Sequence, residues 1–162
     1  FNTPAVHGDR IFAVRGDEGS DAFAYGFKIP DTVDALADDG VQELWKTEVE
    51  RNRYYASPVV IDGLMVVVTR RFDITAIDVN SGDLVYARTL DDIDGDLYSG
   101  LIAAGGMTYL SSDKGTTVVL KPGRTYEEIG RFESEPFRST PILYGNLMIV
   151  RSYGYLSAYD GG

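Results

Sequence analysis

Two groups of side chains in this sequence have the types and spacing for chemistry. The first is acidic. Asp92, Asp94 and Asp96 alternate within Asp91-Asp92-Ile93-Asp94-Gly95-Asp96, which is how a calcium-binding loop opens. The pattern then breaks, because Leu97 stands where the turn glycine belongs and Ala103 where the bidentate Glu belongs. The run is read as a solvated acidic loop, with calcium as the alternative, so no metal is expected. The second group is basic and aromatic: Arg51, Arg53, Tyr54, Tyr55, Arg70, Arg71, Arg138, Arg151 and Tyr153, with Arg15 and Tyr98 in similar positions. Arg with Tyr is the composition of binding hot spots and of anion recognition. Other chemistry has little to build on. There is no Cys, and His7 is the only His, so thiolate sites and multi-His zinc sites are excluded and a Ser-His-Asp triad would need His7. No catalytic residue is expected.

The elements that position these residues recur along the chain. Four segments place a small or hydroxylated residue and usually a Pro before a short apolar strand, a Gly turn and a second apolar strand: Asn2 to Gly8, Ala56 to Gly63, Ser99 to Gly106 and Ser139 to Gly145. The third has Leu101 in place of Pro. The turn glycines Gly8, Gly63, Gly106 and Gly145 lie 55, 43 and 39 residues apart, a period that points to a stacked β-array such as a propeller. The second copy spells out the unit: strand A to Ile61, an Asp62-Gly63 turn needing positive φ, strand B from Leu64, strand C from Ile74, an Asn80-Ser81-Gly82 turn and strand D to Thr89. The expected fold is all-β, a propeller segment of about four antiparallel blades within one domain, 1–162. The blades fall near 1–50, 55–90, 98–133 and 138–162, and the last lacks its outer strand. The first copy carries an insertion, residues 30–40, expected to hold one or two helical turns.

Ala76-Ile77-Asp78-Val79-Asn80-Ser81-Gly82-Asp83-Leu84-Val85-Tyr86 resembles the tryptophan-docking motif of quinoprotein-type propellers, Ala-x-Asp-x-x-Thr-Gly-Lys-x-x-Trp. Ala76, Asp78 and Gly82 match, Ser81 replaces Thr, and Tyr86 stands for Trp. Glu43-Leu44-Trp45 is the counterpart in the first copy, and Val118 to Gly123 is a degenerate form in the third. The chain therefore resembles the C-terminal part of a PQQ-like repeat propeller, the group that includes outer-membrane assembly factors of BamB type. That resemblance implies an aromatic packed between neighbouring blades and a periplasmic or extracellular location. It also raises the alternative of a PQQ- and calcium-dependent dehydrogenase. In those enzymes the quinone lies between a Trp and, in many members, adjacent cysteines, with Glu, Asn and Asp holding the metal. Here Cys is absent and Trp45 sits in the inter-blade position, so no cofactor is expected and the enzyme reading needs a site mostly outside these residues.

The chain carries 25 acids against 15 bases, a net charge of −10, which disfavours nucleic acid and anionic lipid as partners. The longest apolar run, Leu64 to Val68, is far short of a membrane span. Phe1 falls within a repeat, which suggests that it is not a natural start. About 40 residues per blade makes 162 roughly half of a closed propeller. The missing strand or blades are expected from the rest of the chain or from a second copy. Within a blade the B–C and D–A loops share one face, where seven of the eleven arginines fall. The expected function is a non-catalytic binding or scaffold module whose loop face takes a protein partner or a small anionic ligand.

Overall fold

A computed structural model describes residues 2–32, 34 and 40–160. Among them are fifteen strands in four separate antiparallel sheets. The first sheet runs β1 (Ala5–His7), β2 (Arg10–Arg15), β3 (Ala22–Lys28), β4 (Gln42–Val49). The second is β5 (Val59–Ile61), β6 (Leu64–Val68), β7 (Asp73–Asp78), β8 (Leu84–Thr89). The third is β9 (Ile102–Ala104), β10 (Met107–Ser111), β11 (Thr116–Lys121), β12 (Glu127–Glu133). The fourth has three strands, β13 (Ile142–Tyr144), β14 (Leu147–Arg151), β15 (Leu156–Asp160). Most of the insertion in which helical turns are expected, residues 33 and 35–39, lies outside the described residues.

Each sheet is a simple meander because its turns are short and supplied with the right residues. Asp62 and Gly63 take φ of 50° and 70°, and Gly105 and Gly106 take 58° and 72°, the paired left-handed turn that suits strand twist. At the opposite ends of the strands a hydroxyl caps the B–C turn. Thr69 Oγ1 accepts from the Asp73 backbone N–H at 3.1 Å, and Ser152 Oγ accepts from Tyr155 at 3.0 Å.

The sheets stack face to face, with strands β1, β5 and β9 adjoining in turn. Alternation within strands buries both faces of the second sheet, between the first and the third. All five residues of β6 are buried. Met65, Val67 and Ile77 pack with Phe12, Val14 and Trp45 of the first sheet, while Leu64, Val66 and Ile74 pack with Leu110 and Val118 of the third. The outward faces of the end sheets keep apolar side chains exposed, among them Val6, Ile142 and Leu156.

Successive linkers are also stitched together. The Thr3 backbone N–H donates to Ser57 Oγ at 2.9 Å, and Gly100 N–H donates to Thr140 Oγ1 at 2.8 Å. The hydroxyls before Pro58 and Pro141 therefore tie the second repeat to the first and the fourth to the third.

Candidate functional site

The three described D–A linkers align residue by residue: Tyr54-Tyr55-Ala56-Ser57-Pro58, Leu97-Tyr98-Ser99-Gly100-Leu101 and Phe137-Arg138-Ser139-Thr140-Pro141. The first position is a buried anchor in every copy, with Tyr54, Leu97 and Phe137 at 4%, 0% and 2% exposure. The second position points the other way and builds a continuous stack. Tyr55 and Tyr98 lie 5.2 Å apart at 13°, and the Arg138 guanidinium lies 4.3 Å from the Tyr98 ring centre.

This stack sits among arginines and acids from neighbouring loops. Arg53 binds Asp17 at 2.8 Å and donates to the Tyr55 hydroxyl at 3.4 Å. Arg70 reaches Glu18 at 3.2 Å and Asp96 at 3.5 Å, and Arg71 reaches Asp96 at 3.2 Å. Arg51 binds Asp21 at 2.8 Å and Arg138 binds Asp113 at 2.9 Å. Phe72, at φ 67° and buried, turns the chain beneath Arg70 and Arg71. Beside Tyr55 a cleft of about 420 Å³ is lined by Asn2, Arg15, Asp17, Arg53, Tyr54 and Tyr55.

The electrostatics follow these contacts. Hydrogen bonding from Arg53, and then from Arg70, holds the Tyr55 phenol below its ordinary value. Burial pushes the Tyr54 phenol up, and its hydroxyl donates to the Glu50 carbonyl at 2.8 Å. Hydrogen bonding to Arg53 lowers the Asp17 carboxyl.

The structure thus brings Arg51, Arg53, Tyr55, Arg70, Arg71 and Arg138 onto connected loops, and Tyr153 lies near enough to Arg138 to act on its charge. Arg151, at the end of β14, lines a shallow depression with Tyr153 and its carbonyl accepts from the Ser139 hydroxyl at 2.8 Å, while Tyr54 serves as an anchor. Asp92, Asp94 and Asp96 do not converge. Asp96 faces Arg70 and Arg71, its other oxygen accepts from the Tyr98 hydroxyl at 3.3 Å, and the Asp92 carbonyl accepts from Arg131 at 3.1 Å. Among the described residues no three His or acidic side chains are placed to hold a metal ion. Counting arginines misses that most of the partnering acids come from different loops.

Trp45 is engaged elsewhere. It is 7% exposed, its Nε1 donates to the Val79 carbonyl of the next sheet at 3.0 Å, and a methyl group on Gly82 would come within 2.6 Å of its ring. The indole of a quinone sandwich needs an open ring face, and this one is enclosed by Gly26 and Gly82.

Solved structures share the fold. BamB from Moraxella catarrhalis superposes with a TM-score of 0.69 at 12% identity, over 98% of this chain and 42% of BamB. Chaetomium thermophilum Sqt1, solved bound to the N-terminus of the ribosomal protein L10, gives 0.71 at 14% over 94% of this chain and 43% of Sqt1. A europium-containing methanol dehydrogenase gives 0.60 at 13% over 81% of this chain and 24% of the enzyme. The fold is a partial β-propeller. Its four sheets are four blades, and the chain spans less than half the length of each of these three proteins. No protein-family model matches the sequence, and no curated protein does. No helix among the described residues is long and apolar enough to cross a membrane.

Proposed function

We propose that this chain is a non-catalytic binding module that holds a protein partner on the loop face carrying Tyr55, Tyr98 and Arg138. The observation that carries this reading is the stack itself. Three equivalent linker positions present two aromatic rings and a guanidinium in a row, beside a cleft offering guanidinium, carboxylate and phenol groups together. Rigid aromatics with Arg are the residues that dominate protein interfaces. A protein segment fits better than a small anion, because Arg51, Arg53, Arg70, Arg71 and Arg138 are each already held by a carboxylate. That Sqt1 was solved bound to a terminal peptide segment supports the reading by analogy of fold. A periplasmic or extracellular location is proposed on the likeness to PQQ-like repeat propellers of BamB type.

The test is affinity capture from an envelope extract, comparing the wild type with Arg53→Glu/Tyr98→Ala and with His7→Glu, whose change lies at a distant A–B turn. Species captured by the wild type and the His7 variant but lost from the loop-face variant support the proposal. Equal capture by all three overturns it. Titration with sulfate and citrate tests the small-anion reading, and addition of PQQ with calcium tests the dehydrogenase reading. A thermal shift in either would favour that alternative.

A further inference from the structure

The two outward faces of the array are both apolar, and they differ in kind. Ladder register puts Ile11, Ala13, Phe23, Tyr25, Phe27 and Lys46 on the face of the first sheet that points away from the second. Its rings form one row. Phe23 and Tyr25 lie 6.3 Å apart, Tyr25 and Phe27 stack at 5.8 Å and 9°, and the Lys46 ammonium covers Phe23 at 3.9 Å. In the fourth sheet Leu143, Met148 and Tyr159 face the third. The opposite face carries Ile142, Tyr144, Leu147, Ile149 and Leu156, and Ile142 and Leu156 are 65% and 75% exposed. Contiguous exposed apolar side chains mark an interaction site.

The joints inside the array show what such faces meet. Each seats the outgoing face of one blade on the incoming face of the next. In the first two joints the outgoing face brings a strand-D ring: Trp45 reaches the Val79 carbonyl, and Tyr86 meets Tyr126 edge-on at 6.1 Å. The incoming face of the second blade receives Trp45 with the aliphatic Ile77. Phe27 holds the place of Ile77 in the first blade, since each follows the bulge of its C–D ladder. The first blade therefore brings its own aromatic bulk to a joint. The fourth sheet, of three strands, brings aliphatic side chains and no strand-D ring among the described residues. Each outward face supplies what the other lacks.

The linkers repeat the match. In both stitches, Thr3 to Ser57 and Gly100 to Thr140, the N–H of the earlier blade donates to the hydroxyl of the later one. The Thr140 N–H and the Thr3 hydroxyl are the donor and acceptor of one more such stitch, at opposite ends of the array.

We propose that the partner of both faces is a second copy of this chain, joined head to tail. The fourth blade of each copy seats on the first blade of the other, continuing the blade-on-blade interface already present within the chain. Two such joints related by a twofold axis close a ring of eight blades. Dissociation leaves both faces bare, so the end blades of the single chain are its least packed. This interface is independent of the loop face.

Sedimentation equilibrium and engineered cross-linking test the proposal. The chain sediments at twice 17.8 kDa. Ile142→Arg/Leu156→Arg, at side chains already exposed, raises the dissociation constant at least ~tenfold. The sequence has no Cys, so Thr3→Cys and Thr140→Cys each introduce a single thiol. Under mild oxidation a mixture of the two variants links into a covalent heterodimer, because a stitch brings their backbones within disulfide reach. Neither variant alone links at that rate. This cross-link decides the matter if the Arg variant does not fold. A monomer at every concentration overturns the proposal, even if a longer form of the protein covers these faces with further blades of its own. It is equally overturned by a mass that grows beyond two copies, by assembly unchanged in a folded Arg variant, or by Cys variants that link to themselves as fast as to each other.

Discussion

The indole N–H of Trp45 donates across the blade boundary to the Val79 carbonyl at 3.0 Å, and the same oxygen accepts from Arg10 at 2.9 Å. One carbonyl at the C–D turn of the second blade is therefore held twice by the first. Gly82 makes this approach possible: it takes φ 76°, and a Cβ there would press on Trp45.

Two substitutions separate these contributions. Trp45→Ala removes the ring and the bond together and is expected to cost about 3–5 kcal/mol, the range for a large aromatic in a core. Gly82→Ala combines left-handed strain with a clash and is expected to cost about 2–4 kcal/mol. Chemical denaturation followed by circular dichroism measures both. Trp45 is the chain's one Trp, so its fluorescence reports the docking of blades one and two.

Acid should weaken the third blade through Asp113. Burial pushes its carboxyl up, but the Asp96 backbone N–H and the Arg138 guanidinium outweigh that and hold it below the ordinary value. A carboxyl lowered in the folded state contributes fully above its unfolded value near about 4 and loses that contribution as pH falls through the folded value. Melting temperatures measured from pH 7 to pH 2.5 should fall less steeply below about pH 4 for Asp113→Asn than for the wild type. Asp78 and Glu128, lowered chiefly by hydrogen bonds from Arg124 and Arg131, act in the same direction.

The face arginines should differ in their effect on stability. Arg51 and Asp21 are each 60% exposed, so Arg51→Ala is expected to shift stability by less than about 0.5 kcal/mol. Arg138→Ala strips the partner from Asp113, whose side chain is only 9% exposed, and also removes the cap on Tyr98. Its melting temperature should drop further than that of Arg51→Ala, and parallel thermal scans distinguish the two.

Tyr98→Phe should leave the stack with Tyr55 and Arg138 intact and lose only the bond to Asp96. Tyr98→Ala should loosen the linkers on both sides. Amide exchange at Tyr55 and Arg138 is the measurement: faster in the Ala variant and near wild type in the Phe variant.

Most of the fold was legible because the repeat writes its own punctuation. Asp62-Gly63 and Gly105-Gly106 mark turns that only a few residue types can form, and strand boundaries fell within about two residues of them. The site was legible only in part. Tyr54 and Tyr55 are adjacent, yet one is an anchor and the other a surface ring. Comparison with Leu97-Tyr98 and Phe137-Arg138 reveals this, since only the first position stays apolar or aromatic throughout. Asp96 looked like a calcium ligand because its neighbours in sequence are acids, whereas its neighbours in space are Arg70 and Arg71.

Burial is uneven along the array: every residue of β6 is buried, while in β14 only Val150 is. In a nearest-neighbour stack, local opening free energy follows the number of packed faces a unit owns. The fourth blade should therefore unzip first, in sub-global events that leave the second blade closed. Protection factors should climb from β15 inward through β11 to β6, so that this chain melts as a directional, graded series and not as one cooperative block.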